Sequence, residues 1–403
     1  MRKRLSRVVN QRFPRLSWNI WSARRSISQI SFDQTRPAIR NARSRLAVSV
    51  SKGASRPSSS SRDKETRLLL VIPAADHEEL SWGPAHGNYS YELHQTACAY
   101  LGSDSVRTLR ISSGQPTREY HQEILSYIHD HGITHVLSRI DIEANAGSHW
   151  SWDLFVRDLR AQSQATYLPL TYDSAYPYVS MHLDRLTRLY DRAVPIVLDR
   201  PIAGHIRPNR PAAGPLFLPL SNESMTVIEK DLAGVKSRFN LTFIGNVDGY
   251  PYRGKLLDEL EKAGIDVEVN PHGRSEENLK GFIKYAEALR MSRITLNFTR
   301  CNGVPVTQLK TRMLEGALFG AVVATDSSLY ADRYFSEGSE FISYNSPSDL
   351  RHKIAPLLEQ PDLLHRMQSS ARARAEDLRA NDFWECTDIA LLENGLVPLR
   401  SGQ

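Results

Sequence analysis

The sequence predicts an α/β fold of two doubly wound domains facing a cleft, preceded by a basic tail that is expected to be disordered. Three observations predict it. From residue 67 onward, short apolar runs of strand length alternate with stretches of helical periodicity, the pattern of parallel strands covered on both faces. The pattern restarts after residue 225. A chain of 403 residues can bury two separate cores. The expected segments are a tail over 1–66, a first domain over 67–225 and a second over 226–380, with 381–403 following.

The tail is set apart by charge. Residues 1–61 hold fourteen Lys and Arg against one acid, Asp33, and so carry +13 of a chain whose net charge is +6. The remainder is acidic, at −7. The high pI therefore belongs to the tail, and a nucleic-acid-binding body is the less favoured reading. A basic tail on an acidic body permits a nucleic-acid tether, including for a transferase acting on modified bases, and three further readings of the tail stay open. Val8, Val9, Phe13, Leu16, Trp18, Ile20 and Trp21 among arginines suit an anionic membrane surface. An Arg-rich, acid-poor start also resembles an organellar transit peptide. The third is a solubilising disordered segment ending in Arg56–Ser61. No apolar run reaches the ~18 residues of a membrane-spanning helix. Cys98, Cys301 and Cys386 are odd in number and lack metal-ligand spacing. A reducing, cytoplasmic compartment is expected, with peripheral membrane attachment through the tail as one of its open readings.

In the first domain, Arg67–Pro73, Val106–Ile111, Thr134–Ile140, Tyr167–Thr171, Val194–Leu198 and Leu216–Leu220 read as strands. Tyr89–Leu101, Arg118–His131 and Trp152–Gln162 read as helices, with Gly132 as a stop. In the second, the strands are Asn240–Gly245, Ile265–Val269, Arg293–Phe298 and Ala321–Thr325. The helices are Gly254–Ala263, Leu279–Arg290, Gln308–Phe319, Ser348–Glu359 and Pro361–Leu378. Ligands of such sheets bind outside the carboxyl ends of the strands.

Gly249–Leu256 nearly matches a P-loop but has Leu256 where the magnesium-binding hydroxyl belongs, and Pro251 lacks an N–H. ATP hydrolysis is rejected on that ground. Gly245 and Asn246 after a strand, with Arg253 opening a helix, could instead meet a diphosphate through backbone N–H groups and a guanidinium. An ordinary strand–helix loop is the equal alternative. In the stretch 293–325, Lys310 lies near a helix start, and Arg312 and Glu315 share one face. Met313, Leu314, Ala317 and Leu318 form the core-facing stripe. Cations at a helix start suit a diphosphate, and a carboxylate one turn later can accept two hydrogen bonds from a ribose diol. The competing reading is a surface ion pair contributing roughly 0.2–0.5 kcal/mol.

Ser292-Arg-Ile-Thr-Leu-Asn297, Arg312-Met-Leu-Glu315, Gly320–Thr325, Phe335–Ile342, Ser346–Leu350 and Pro361–Ala375 together tip that balance. The segment resembles the C-terminal domain of the CgeB-like (spore maturation protein-like) glycosyltransferases, relatives of the GT-B group. The resemblance covers about 240–390. It implies two Rossmann-like domains, a nucleotide-sugar donor, Glu315 on the donor ribose, and Arg312 and Lys310 facing the diphosphate. It further implies that Trp384 and its neighbours form a helix crossing back onto the first domain. Many retaining GT-B enzymes carry a second glutamate eight residues before the ribose-binding one, where this chain has Thr307.

An inverting transfer needs a base in the first domain. Asp76, His77 (with Glu78), His86 and Asp173, all near strand carboxyl ends, are the candidates. Asp141 and Glu143 form an alternate-residue carboxylate pair of the kind that holds a divalent metal elsewhere. It is a common accidental pattern. No metal or other cofactor is expected, since positive side chains can stabilise a leaving diphosphate. A glycan, lipid-linked or protein acceptor is expected. A non-catalytic GT-B scaffold that binds sugar nucleotides or glycans is the alternative.

Overall fold

The computed structural model describes residues 65–73, 89–111, 117–139, 149–172, 174, 177–199, 211–247, 250–271, 281–301 and 304–400. Asp76, His77, His86, Asp173, the pair Asp141 and Glu143, and the tail up to residue 64 lie outside the described residues.

The first half is a five-stranded parallel sheet. Its strands are β1 (Leu68–Pro73), β2 (Val106–Ile111), β3 (His135–Arg139), β4 (Thr166–Thr171) and β5 (Ile196–Val197), in the order β2-β1-β3-β4-β5. Helices α1 (Tyr89–Leu101), α2 (Thr117–His131), α3 (His149–Gln162) and α4 (Pro177–Leu189) accompany them. The unbroken apolar run of β1 has a physical cause. Leu68, Leu70 and Ile72 enter one core with α1, while Leu69 and Val71 enter another with α2 and α3. Alternate residues serve opposite faces, and both faces are dry.

Helix α5 (Asn222–Asp231) opens the second half. Its sheet contains β6 (Phe239–Phe243), β7 (Glu268–Val269), β8 (Ser292–Asn297), β11 (Val322–Thr325) and β12 (Phe341–Ser343). A separate antiparallel pair, β9 (Arg300–Cys301) and β10 (Val304–Thr307), interrupts the alternation. The main sheet is parallel in the order β12-β11-β8-β6-β7. Helices α6 (Pro251–Lys262), α7 (Phe282–Arg290), α8 (Arg312–Leu318), α9 (Pro347–Glu359) and α10 (Pro361–Arg379) pack around it. Counted within each half, both sheets run second, first, third, fourth, fifth. The strand order therefore reverses between β1 and β3, and again between β6 and β8. Those two carboxyl-end crevices are where ligands of such sheets bind.

Helix α11 (Asp382–Glu393) then packs against the first half. Trp384, fully buried, donates from Nε1 to Thr96 Oγ1 at 3.0 Å. Tyr100 donates to Asp388 Oδ2 at 2.9 Å, and Asp388 also accepts from the Leu399 and Arg400 backbone N–H groups. A second tie crosses between the halves near α5. Glu92 of α1, 1% exposed, accepts from the Ser221 N–H at 2.7 Å and from the Ser224 hydroxyl. The N-cap of α5, where Ser221 Oγ also receives the Ser224 N–H, is thereby pinned to the first half.

The structure corrects several sequence expectations. Leu216–Leu220 is not a strand, although Leu216, Phe217 and Leu220 are buried. Its backbone bonds go to isolated partners instead, Leu216 N–H to Val197 O and Leu220 N–H to Arg379 O. Gln308–Phe319 is not one helix. Gln308 and Leu309 are committed to Asp199 of the first half, and the helix begins only at Arg312. Helices α4 and α5, the β9–β10 pair and β12 were not predicted.

Replacing Trp384 by alanine should remove about 3–5 kcal/mol of stability because it empties a closed site and removes the hydrogen bond to Thr96. Urea unfolding measures this; an unchanged midpoint would contradict the packing described for α11.

Candidate functional site

At the carboxyl end of β6 the chain passes through Phe243 and Ile244 to Gly245, where Arg312 comes close. A Cβ added to Gly245 would stand 3.0 Å from Arg312 Nη2 and 3.4 Å from the Phe243 ring, and the backbone there has φ 153°. A side chain at 245 would crowd the guanidinium tip and strain the backbone. Arg312 Cζ lies 5.3 Å from the Phe243 ring centroid, so the cation is supported by an aromatic face. Its Nε is buried without a hydrogen-bond partner.

Asn270, just past β7, closes the other side. Its Oδ1 accepts from the Gly245 N–H at 2.8 Å, and its Nδ2 donates to the Gly245 carbonyl at 3.0 Å. Asn270 is left-handed, with φ 51°, a conformation that asparagine tolerates better than most residues. The Gly245 N–H, expected to be open to a diphosphate, is committed here. What this edge presents instead is positive charge.

Arg253 supplies part of it. It sits in the first turn of α6, with Pro251 at the helix start and Gly254 and Lys255 inside the helix. Its Nη1 donates to the Asn246 carbonyl at 2.7 Å, and its Cζ lies 3.7 Å from the Tyr250 ring centroid. Asn246 itself is exposed.

Helix α8 brings the remaining groups. Met313, Leu314, Ala317 and Leu318 are buried, as the stripe predicts, which turns Arg312 and Glu315 to the half-open side. Gly316 lets the helix approach the sheet, since a Cβ there would lie 2.5 Å from Val323 Cγ2. Arg312 and Glu315 do not pair with each other among the described ion pairs; they are joined through Tyr285 of α7. The Tyr285 hydroxyl donates to Glu315 Oε2 at 2.7 Å and also meets the Arg312 guanidinium. Burial pushes the Glu315 carboxyl above its ordinary range, against the opposing pull of the Tyr285 hydrogen bond and the Arg312 charge. Burial likewise raises the Tyr285 hydroxyl, with the neighbouring Glu315 charge adding to the effect.

Lys310 precedes the helix rather than starting it. Its ammonium hydrogen-bonds Gln308 Oε1. The adjoining strand ends are tied by Asp326, whose Oδ1 accepts from the Thr299 N–H at 2.8 Å and hydroxyl at 2.7 Å.

The structure thus gathers Gly245, Arg253, Arg312 and Glu315 around one edge, with Asn246 beside them and Lys310 on the loop that leads into α8. Sequence reasoning missed Asn270, Tyr285, Gln308 and Asp199. Asn270-Pro271 after a strand was a readable turn signal. Nothing local marks Tyr285, whose role comes from packing α7 beside α8. No group of three or more His, Cys, Asp or Glu able to hold a metal occurs among the described residues.

Because the folded-state pKa of Glu315 is raised, its contribution to stability is complete below about 4.5 and is lost as pH rises through the folded value. Glu315→Gln should therefore melt progressively higher than the wild type as pH rises above that point. A melting difference that is constant across the pH range would contradict the burial assigned to this carboxyl.

Residues 236–381 match the family model described as "Glycosyl transferase-like". No curated protein matches the sequence. Among solved structures, an alpha-glucosyltransferase in complex with UDP and a 13-mer DNA is 11% identical, with a TM-score of 0.53, over 80% of this chain and 99% of that one. Anabaena Alr3699/HepE in complex with UDP is 10% identical, with a TM-score of 0.48, over 82% and 98%. T4 phage BGT in complex with its UDP-glucose substrate is 11% identical, with a TM-score of 0.44, over 82% and 100%. The described chain has the two-sheet GT-B architecture, and residues 236–381 are similar to the glycosyl transferase-like family.

Proposed function

We propose that the chain is a glycosyltransferase that takes its sugar from a nucleotide-sugar donor. The observation that carries this reading is the union of Arg312, Glu315 and Tyr285 at the carboxyl-end crevice of the second sheet, inside the segment that matches the family. Arg312 and Arg253 would contact the diphosphate, with Lys310 as a third cation. Glu315 would accept hydrogen bonds from the ribose diol, and a carboxylate pre-oriented by Tyr285 suits two adjacent hydroxyls. An acceptor hydroxyl attacks the anomeric carbon, the bond to the diphosphate oxygen breaks, and the guanidinium groups stabilise the charge that develops there.

In this reading the leaving group is neutralised by side chains, without a metal. The acceptor is a glycan, a lipid-linked molecule or a protein, and the base that takes its proton belongs to Asp76, His77, His86 or Asp173 of the first half. The resemblance of about 240–390 to the CgeB-like glycosyltransferases supports placing the chain in that branch.

Thermal-shift measurement against UDP-, GDP-, ADP- and dTDP-sugars tests this. A donor at about 100 times its Kd should stabilise the protein by about 2.7 kcal/mol and raise its melting temperature. Glu315→Ala and Arg312→Ala should abolish the rise. No rise with any donor, or a rise untouched by both substitutions, would overturn the site.

A further inference from the structure

We infer that Asp199, a residue of the first half, positions the Lys310 ammonium of the second half by fixing which way the Gln308 amide faces. Asp199 follows β5 and is 4% exposed; Gln308, after β10, is 1% exposed. Gln308 Nε2 donates to Asp199 Oδ2 at 3.0 Å, and Ser174 Oγ donates to Asp199 Oδ1 at 2.6 Å. The Leu309 N–H donates to the Asp199 carbonyl at 2.5 Å, so backbone and side chain of one residue hold the same loop.

The orientation follows from the chemistry of the groups. An ionised carboxylate only accepts hydrogen bonds, and an ammonium only donates them. The Gln308 amide lies between one of each. With Nε2 toward Asp199 and Oε1 toward Lys310, both contacts are satisfied. The reversed amide would set oxygen against oxygen and N–H against N–H inside the protein, where unmet polar groups are costly. A buried carboxylate of the first half thus determines where a cation of the second half stands. Glu92 ties the halves at α5; Asp199 reaches the segment that leads directly into Arg312 and Glu315. Asp199 is a positioning residue, acting through Gln308.

The effect on Lys310 stands by itself; an effect on ligand binding rests on the proposal that Lys310 meets a diphosphate. Two measurements on the full chain keep these apart. In the first, the rate of Lys310 acylation by acetic anhydride is read by mass spectrometry, with exposed Lys255 as internal reference. Asp199→Asn and Gln308→Leu, which has no amide to relay the contact, should each raise the Lys310 rate several-fold and leave Lys255 unchanged. If Asp199→Asn does not fold, Gln308→Leu decides. An unchanged Lys310 rate overturns the inference, whatever any nucleotide does. In the second, calorimetry with UDP should show Asp199→Asn weakening affinity about tenfold, the scale of one charge-assisted hydrogen bond. The double variant Asp199→Asn/Lys310→Ala should bind no more weakly than Lys310→Ala alone. Fully additive losses would mean that Asp199 acts elsewhere and would overturn the relay. A wild type that binds no nucleotide strikes the donor reading and leaves the acylation rates to decide the inference.

Discussion

The close approach of Arg312 to Gly245 organises the second half. The guanidinium stands at the end of β6 close to residue 245, which carries no side chain to crowd it, and it contacts the Phe243 face and the Tyr285 hydroxyl. The same contact dictates the rest of the neighbourhood. Asn270 must adopt a left-handed turn to close both hydrogen bonds of Gly245. Helix α8 must lie low on the sheet, and Gly316 lets it do so. With α8 in that position, Glu315 falls one turn beyond Arg312, within reach of the Tyr285 hydroxyl. Positive charge and an oriented carboxyl thus share a crevice that the strand order creates.

The parts of this arrangement visible in the sequence are those written by local periodicity. The continuous apolar runs of β1 and β4 announce strands buried on both faces, and Met313, Leu314, Ala317 and Leu318 announce the face that α8 buries. The restart of the pattern after residue 225 announces a second sheet. What the sequence hides is written by contacts between distant residues. Gln308 and Leu309 have helical neighbours and helical propensity, yet Asp199, 109 positions earlier than Gln308, draws them out of the helix. Leu216–Leu220 has the composition of a strand, but it threads between the halves and meets single backbone partners rather than a ladder. Tyr285 is one more aromatic on an amphipathic helix until α7 and α8 are placed side by side. Local pattern decides elements; packing decides which polar atoms meet.

The two halves are joined by polar atoms as well as by the returning helix. Glu92 fixes the first turn of α5, Asp199 fixes the approach to α8, and Trp384 and Asp388 fix α11 against α1. Each of these carboxylates is buried and pays for desolvation with several hydrogen bonds, which makes the joints specific in geometry rather than merely adhesive. The proposed transfer would call for such joints, because a bound donor and acceptor must be held in a closely defined geometry to react.

The most direct test is a crystal structure of the protein with the nucleotide sugar that stabilises it most. The account predicts the diphosphate within hydrogen-bonding distance of Arg312, and the two ribose hydroxyls on the Glu315 carboxylate with Tyr285 still attached to it. Density for the nucleotide at any other edge of either sheet, with Arg312 and Glu315 untouched, would contradict it.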